Sequence, residues 1–449
     1  MKTEWEGIRF FNCKILFCLK GQINERVGIM GCVHLKKKSI TYLDLFAGAG
    51  GLSEGFASVG YQPIAHVEMD VNACNTLKTR ECYYYLQTID LSCKYIDYLR
   101  KCITREELYK MIPQGILDSV ICETMSDESM PSIFERIDSA MSFRKIKNVD
   151  LILGGPPCQA YSMAGRSRKN MEGDPRNTLY KLYFQALERY KPTMFVFENV
   201  PGLLTAGGGS YLSEIISGFR ERGYEVENHV LNAADYGVLQ NRRRIILIGW
   251  RKESGHYYPV LSENSKCYKV VSLFEDLPAL IPGEEKHEYA SKTINEYLQC
   301  TGIRKSTDVL TWHVARKNLE RDREIYRLAI REWQSNHKRL VYTDIPTTLA
   351  THNNKSSFLD RFKVVASDLY ATHTMVAHIS KDGHYYIHPD IKQARSISVR
   401  EAARIQSFPD DFFFEGPRTS AFRQIGNAVP PLLAKKIAKA LLEQFNEEN

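Results

Sequence analysis

SITYLDLFAGAGGLSEGF, residues 39–56, passes from an alternating apolar segment through three glycines into an amphipathic one. SITYLDLF (39–46) has the β-branched and aromatic content of a strand. Gly48, Gly50 and Gly51 predict a tight turn, and the helix after it places Leu52, Phe56 and Val59 on one face before Gly60 stops it. Strand, glycine turn and helix in that order open a doubly wound α/β sheet of the Rossmann-like kind. The glycines let a ligand approach the backbone and leave amides free at the helix start.

Working outward, PIAHVEMD (63–70), YYYLQTID (83–90), VDLIL (149–153) and TMFVFENV (193–200) read as further strands. A helix over 210–222 ends at Gly223, and YEVENHVLNA with RRIILIGW (243–250) reads as an antiparallel pair at the sheet edge. Residues 39–250 therefore read as one α/β domain, the expected catalytic and cofactor domain if the residues at its strand ends carry chemistry, interrupted by a small helical insertion over 91–148. Residues 251–394 differ in style, being aromatic, basic and poor in glycine turns. They hold one helix near 314–334, with Leu319, Tyr326, Ile330 and Trp333 on one face and Arg316, Arg321, Arg323, Arg327 and Arg331 mostly elsewhere, as a solvated surface would have. The α/β style resumes over 395–449. Ser398 and Glu401 form a capping box there, and PPLLAKKIAKALLEQF (430–445) carries Leu433, Ile437 and Leu441 along one stripe. Residues 1–38 read as an N-terminal extension.

The chain has 449 residues, 43% hydrophobic and 25% charged, as a globular protein of more than one domain does. Sixty basic side chains against 53 acidic ones give a net +7, which suits a polyanionic partner without demanding one. Eleven cysteines lie scattered with no CxxC pair, which argues for a reducing compartment and against a disulfide framework or a structural metal. No apolar run approaches the length of a membrane span, and the expected setting is cytoplasmic.

Two acids sit at expected strand ends near the glycine turn. Glu68 follows Gly48 by 20 residues, where a carboxylate holds ribose hydroxyls, and Asp90 ends the expected third strand. Together they point to an adenosine-containing cofactor. GGPPCQAYS (154–162) sets Cys158 on a loop stiffened by two prolines after the fourth strand, and Glu198 ends the next strand at the same edge. A thiol and an acid facing one crevice suit nucleophilic catalysis, whereas the other ten cysteines read as ordinary packing residues.

DLFAGAGGLSEGF (44–56), GGPPCQAYS (154–162), ENV (198–200), QNRRR (240–244), REAARIQSFPDDF (400–412) and QIGNAVPP (424–431) occur in the order of the blocks of the DNA (cytosine-5) methyltransferase family, which the chain resembles. The resemblance leaves out residues 1–38, 91–148 and 251–394, the last of which fills the family's target-recognition slot. It implies methyl transfer from S-adenosylmethionine to carbon-5 of cytosine in double-stranded DNA, with the base flipped out of the helix. Cys158 would add to carbon-6 and Glu198 would protonate ring nitrogen 3. Arg242 and Arg244 would secure the base and the thiolate, Arg244 through the cytosine carbonyl.

For the cofactor the resemblance implies Phe46 stacked on adenine, Gly48 and Gly50 beside the methionine portion, and Glu68 on the ribose. Met69 would pack on the adenine, Asp90 would receive its amino group, Pro156 would form a wall, and Asn427 would close the pocket. Residues 158–180 would close over DNA, with Gln159, Ser162, Arg166 and Arg168 near the substrate. THNNKSSFLDRF (351–362) has the mix expected of groove contacts. No metal is required. The implied setting is the modification half of a prokaryotic restriction system, a monomer with a cognate endonuclease as partner. A transfer-RNA methyltransferase on the same scaffold lacks its short Cys-Phe-Thr marker here, the sequence after ENV being PGLLTAGG. A non-catalytic DNA-binding homologue would tolerate loss of Cys158 or Glu198, and both are present. Amino-group methyltransferases place an aromatic residue after the proline pair, where Cys158 stands.

Overall fold

Alternation within each strand decides how the layers form. The computed structural model describes residues 39–157, 178–351 and 359–447. In β1 (Thr41–Leu45), Tyr42 packs into one apolar cluster and Leu43 and Leu45 into another, on opposite faces of the sheet. Strands buried on both faces in this way need helices on both sides. After β1 come α1 (Gly51–Ala57), β2 (Gln62–Glu68), α2 (Val71–Thr88), α3 (Ser92–Leu99), α4 (Arg105–Lys110), α5 (Gln114–Leu117), β3 (Val120–Cys122) and α6 (Met130–Arg144). The sheet is completed across β4 (Leu151–Gly154), α7 (Tyr180–Tyr190), β5 (Met194–Asn199), α8 (Ser210–Glu221), β6 (Tyr224–Asn232) and β7 (Arg243–Arg251). The strand order is β3-β2-β1-β4-β5-β7-β6, parallel except for β7, which runs antiparallel to both its neighbours. The expected hairpin of 224–232 with 243–251 thus lies at one edge.

Two expectations are corrected here. Residues 83–88 do not form a strand: they continue α2, which opens on the Asp70 cap (Oδ1 to the Asn72 and Ala73 amides, 2.9 and 3.1 Å) and meets no breaker before Asp90. The third strand is instead β3, so the 91–148 stretch is not a helical insertion alone. Its second half supplies a strand and a helix of the main sheet, and Ile121, Met130, Ile133 and Ile137 belong to the same core as Leu43 and Phe197.

After the sheet come α9 (Glu296–Thr301), α10 (Glu320–Asn336), α11 (Val399–Ile405), α12 (Arg418–Asn427) and α13 (Pro431–Glu447). The helix expected over 314–334 begins later, because the Ala315 amide is bound to the Glu284 carbonyl (2.8 Å) and Val314 bridges to Glu285. Tyr326 and Ile330 are buried as its apolar face requires, but Leu319 caps the helix and is 64% exposed. Arg323 and Arg327 pair with Glu320 on the solvated side, whereas Arg316 lies off the helix and is buried. The 251–394 segment shares one apolar cluster with the C-terminal block, joining Leu273, Leu298 and Met375 to Ala402, Phe408 and Ile425. Buried ion pairs cross the same junction, where Arg404 bonds both Asp276 and Asp410 at 2.6 Å.

α13 returns to the first helix. A Cβ at Gly51 would stand 2.3 Å from the Val429 carbonyl oxygen, and one at Gly55 2.5 Å from the Lys435 amide nitrogen. Only glycine therefore lets the C-terminal segment lie directly on the α1 backbone, with Leu433, Ile437 and Leu441 turned to the sheet.

Under the sheet, His66 is buried between Asp44 (3.6 Å) and Glu81 (3.3 Å), and Arg144 reaches Glu81 at 2.9 Å. Burial works to discharge the ring, but the two carboxylates outweigh it, and His66 is raised from 6.5 to about 9. Stabilisation from the protonated ring is complete below pH 6.5 and disappears as the pH climbs to about 9, a loss on the order of 3 kcal/mol. Urea unfolding compared between about pH 6 and about pH 9.5 should show this drop in the native chain and a much smaller one in His66→Gln.

Candidate functional site

At the carboxyl end of β1 the backbone enters the left-handed region at Phe46, Gly48 and Gly50 (φ 57°, 56° and 79°). A side chain at Gly48 would meet nothing, so conformation rather than space selects glycine there. This turn aims the Gly48 amide at Glu68 Oε2 (2.8 Å), and the Asp70 amide holds Oε1 at the same distance. Burial pushes the Glu68 carboxyl up, and these amides oppose it. Phe46 is half-buried against the apolar cluster of the sheet, and Met69, the residue after Glu68, is 63% exposed. An apolar side chain standing in solvent next to an oriented carboxylate suits a flat heteroaromatic ring.

Asp90 is not at this edge. It follows the far end of α2 with φ 55°, and a helix of 18 residues carries the chain about 27 Å away from the β2 tip. The acid that does follow the third strand is Glu123, exposed, its amide bound to the Glu68 carbonyl at 3.0 Å. Sequence reasoning passed over it because a three-residue strand carries too little periodicity to be seen. With a carboxylate at each of two neighbouring strand tips, Glu123→Ala should weaken binding of S-adenosylhomocysteine about tenfold by calorimetry, with the fold unchanged by circular dichroism.

The second edge is built by β4 and β5. Asn199 Nδ2 donates to the Pro156 carbonyl (3.2 Å), which ties the end of β5 to the loop leading toward Cys158. Glu198 packs so closely that a Cβ at Gly155 would lie 2.9 Å from its Oε2. Arg244 Nε meets Glu198 Oε1 at 2.7 Å, both side chains being largely buried. The structure thus brings Glu198, Arg244 and Pro156 together. Cys158, Gln159, Ser162, Arg166 and Arg168 lie outside the described residues, as do 352–358 of the expected groove segment.

Arg242 departs from expectation. It is fully buried, and its guanidinium donates to the carbonyls of Met375 (2.5 Å), Gly426 (3.1 Å) and Ala428 (2.8 Å). Both terminal nitrogens are engaged by the protein's own backbone and Nε is buried without a partner among the described residues, so Arg242 joins three chain segments and is closed off from solvent. Gln240 does similar work, bonding Gln406 (2.7 Å) and receiving the Met375 amide (2.7 Å). Asn427, exposed at the end of α12, stands one residue before Ala428, whose Cβ would be 3.0 Å from one placed on Gly51. The last block therefore returns to the glycine turn.

The sequence profile of C-5 cytosine-specific DNA methylases matches residues 40–104 and 117–443. The chain belongs to that family. It is an enzyme that methylates cytosine in DNA at carbon-5, and the match takes in most of 91–148 and all of 251–394, well beyond the six blocks. It is 40% identical over 445 residues to the type II methyltransferase M.Bpa9945I of Bacillus paralicheniformis, covering 90% of this chain and 99% of that one. It is 30% identical to the type II methyltransferase M1.HphI of Haemophilus parahaemolyticus, over 97% and 93%. A solved prophage-encoded chain from E. coli has the same fold (TM-score 0.60, 22% identity, 91% of this chain and all of that one). The Entamoeba histolytica methyltransferase EhMeth is a more distant neighbour in fold (TM-score 0.51, 14% identity, 92% of this chain and all of that one). Among the described residues, no helix is long and apolar enough to cross a membrane.

Proposed function

We propose that this cytosine-5 methyltransferase modifies one cytosine within a specific duplex sequence through a covalent Cys158 adduct, as the modification half of a restriction system. The observation that carries this reading is the Glu198–Arg244 contact set against the Gly155–Pro156 backbone that leads to Cys158. The type II names of the similar chains support the restriction setting. The partners that follow are double-stranded DNA and a cognate endonuclease, and the chain works on DNA as a monomer.

The glycine turn, the amide-held Glu68 and the exposed Met69 fit an adenosine donor, with Phe46, Gly50, Pro156, Asn427 and Glu123 around it. When bound there, S-adenosylmethionine supplies an electrophilic methyl group. The thiolate of Cys158 adds to carbon-6 of a flipped cytosine while Glu198 delivers a proton to ring nitrogen 3. Carbon-5 becomes an enamine carbon able to take the methyl. Arg244 holds Glu198 in place and reaches the ring carbonyl. Loss of the carbon-5 proton to water then expels Cys158 as thiolate, and the nitrogen-3 proton returns to Glu198 as the aromatic ring is restored. Residues 251–394 read the base sequence.

The test is a duplex carrying 5-fluorocytosine at the target position. Fluorine cannot leave as a proton does, so the adduct should survive denaturing electrophoresis in the presence of the methyl donor. An active preparation that leaves no such adduct would contradict the covalent step.

A further inference from the structure

Two free thiols outside the proposed chemistry share the donor edge. Cys74, on the first turn of α2, is buried and donates its S–H to the Glu68 carbonyl at 3.2 Å. Cys122, the last residue of β3, lies opposite Glu68 in the strand register and is partly exposed. Both belong to one small cluster with Leu77, Val120 and Ala47. Among the described cysteines, they are the two that share a cluster.

We propose that Cys74 and Cys122 form a hydroperoxide-sensitive dithiol whose closure to a disulfide shuts the methyl-donor site; this rests on placing that site at the Glu68 edge. Cys122 is the thiol that solvent reaches. Burial pushes the Cys74 thiol up, with Cys122 and Glu68 adding to the effect, so Cys74 enters second. The Cys122 sulfur attacks the peroxide, the O–O bond breaks, one water leaves, and Cys122 becomes a sulfenic acid. The Cys74 sulfur then displaces the hydroxyl as a second water and the S–S bond forms. Across both steps the thiols give up two protons and two electrons, which reduce the peroxide to water.

The mechanical consequence follows from the hydrogen bonds. The Cys74 amide is bound to the Asp70 carbonyl (2.9 Å), and the Asp70 amide holds Glu68 Oε1 (2.8 Å). Drawing the Cys74 sulfur toward Cys122 breaks its bond to the Glu68 carbonyl and pulls on the turn that orients the Glu68 carboxylate. Donor binding and oxidation are then linked, so a bound donor also protects the pair.

The test uses the full chain carrying Cys158→Ser, so that peroxide has no nucleophilic Cys158 to attack. S-adenosylhomocysteine affinity is measured by calorimetry before peroxide, after hydrogen peroxide, and after dithiothreitol. The expected result is a fall of about tenfold or more with peroxide, reversed by dithiothreitol, and a Cys74–Cys122 crosslinked peptide in the non-reduced digest. With Cys74→Ser or Cys122→Ser added, affinity no longer responds to peroxide. An affinity that peroxide leaves unchanged, or one lost without that crosslink, overturns the dithiol. Failure of the reduced protein to bind S-adenosylhomocysteine overturns instead the placing of the donor, and the proposal with it.

Discussion

Cys158→Ser should lower methyl transfer about 10⁴-fold or more, while S-adenosylhomocysteine binding stays within about twofold of the native value. A thiol is partly ionised near neutral pH and its anion is a soft nucleophile, whereas a serine hydroxyl needs a base beside it. Glu198, the acid near the end of β5, is engaged by Arg244 and is assigned by the proposal to the ring nitrogen, so it is not free to activate an oxygen. With the donor placed at the β1 and β2 edge, as proposed, its binding should be indifferent to the change. Single-turnover assays with labelled donor, paired with calorimetry, separate the two readouts. Substantial turnover by the serine variant would remove the covalent step, and loss of donor binding would instead make the loop structural.

Arg242→Ala should destabilise the folded chain by about 3–5 kcal/mol, seen as a lowered urea midpoint. The carbonyls of Met375 and Gly426 lose their side-chain donor at once and that of Ala428 keeps only Gln406, in a place closed to solvent. Had this side chain gripped the base, its removal would cut turnover in an otherwise normal protein. The geometry predicts the reverse pattern, with turnover per folded molecule falling less than stability. Arg242→Lys, which keeps one cation but lacks the forked donors, should recover only part of the loss.

The sheet was legible because burial on both faces leaves a strong mark: Phe195 and Phe197 serve one layer, Met194 and Val196 the other, and no polar residue interrupts them. The acids at the ends of β2 and β5 could be placed for the same reason. Residues 83–88 misled because tyrosine-rich segments favour strands in general, whereas here the rings pack around a buried guanidinium, Arg80 lying 3.8 Å from the Tyr83 ring centre. That error hid β3 and moved the third acid from Glu123 to Asp90. Arg242 shows a different gap. It shares strand parity with Arg244, and the difference between them arises from cover supplied by residues 375 and 426–428, far away in the chain.

The seating of α13 on Gly51 and Gly55 has a bearing on biosynthesis. The helix that follows the glycine turn leaves the ribosome among the earliest parts of the sheet, yet the segment seated on it is made far later. A nascent chain must therefore keep that bare glycine face uncovered while some 370 further residues are made. Any chain cut short before residue 431 then carries α1 without its cover.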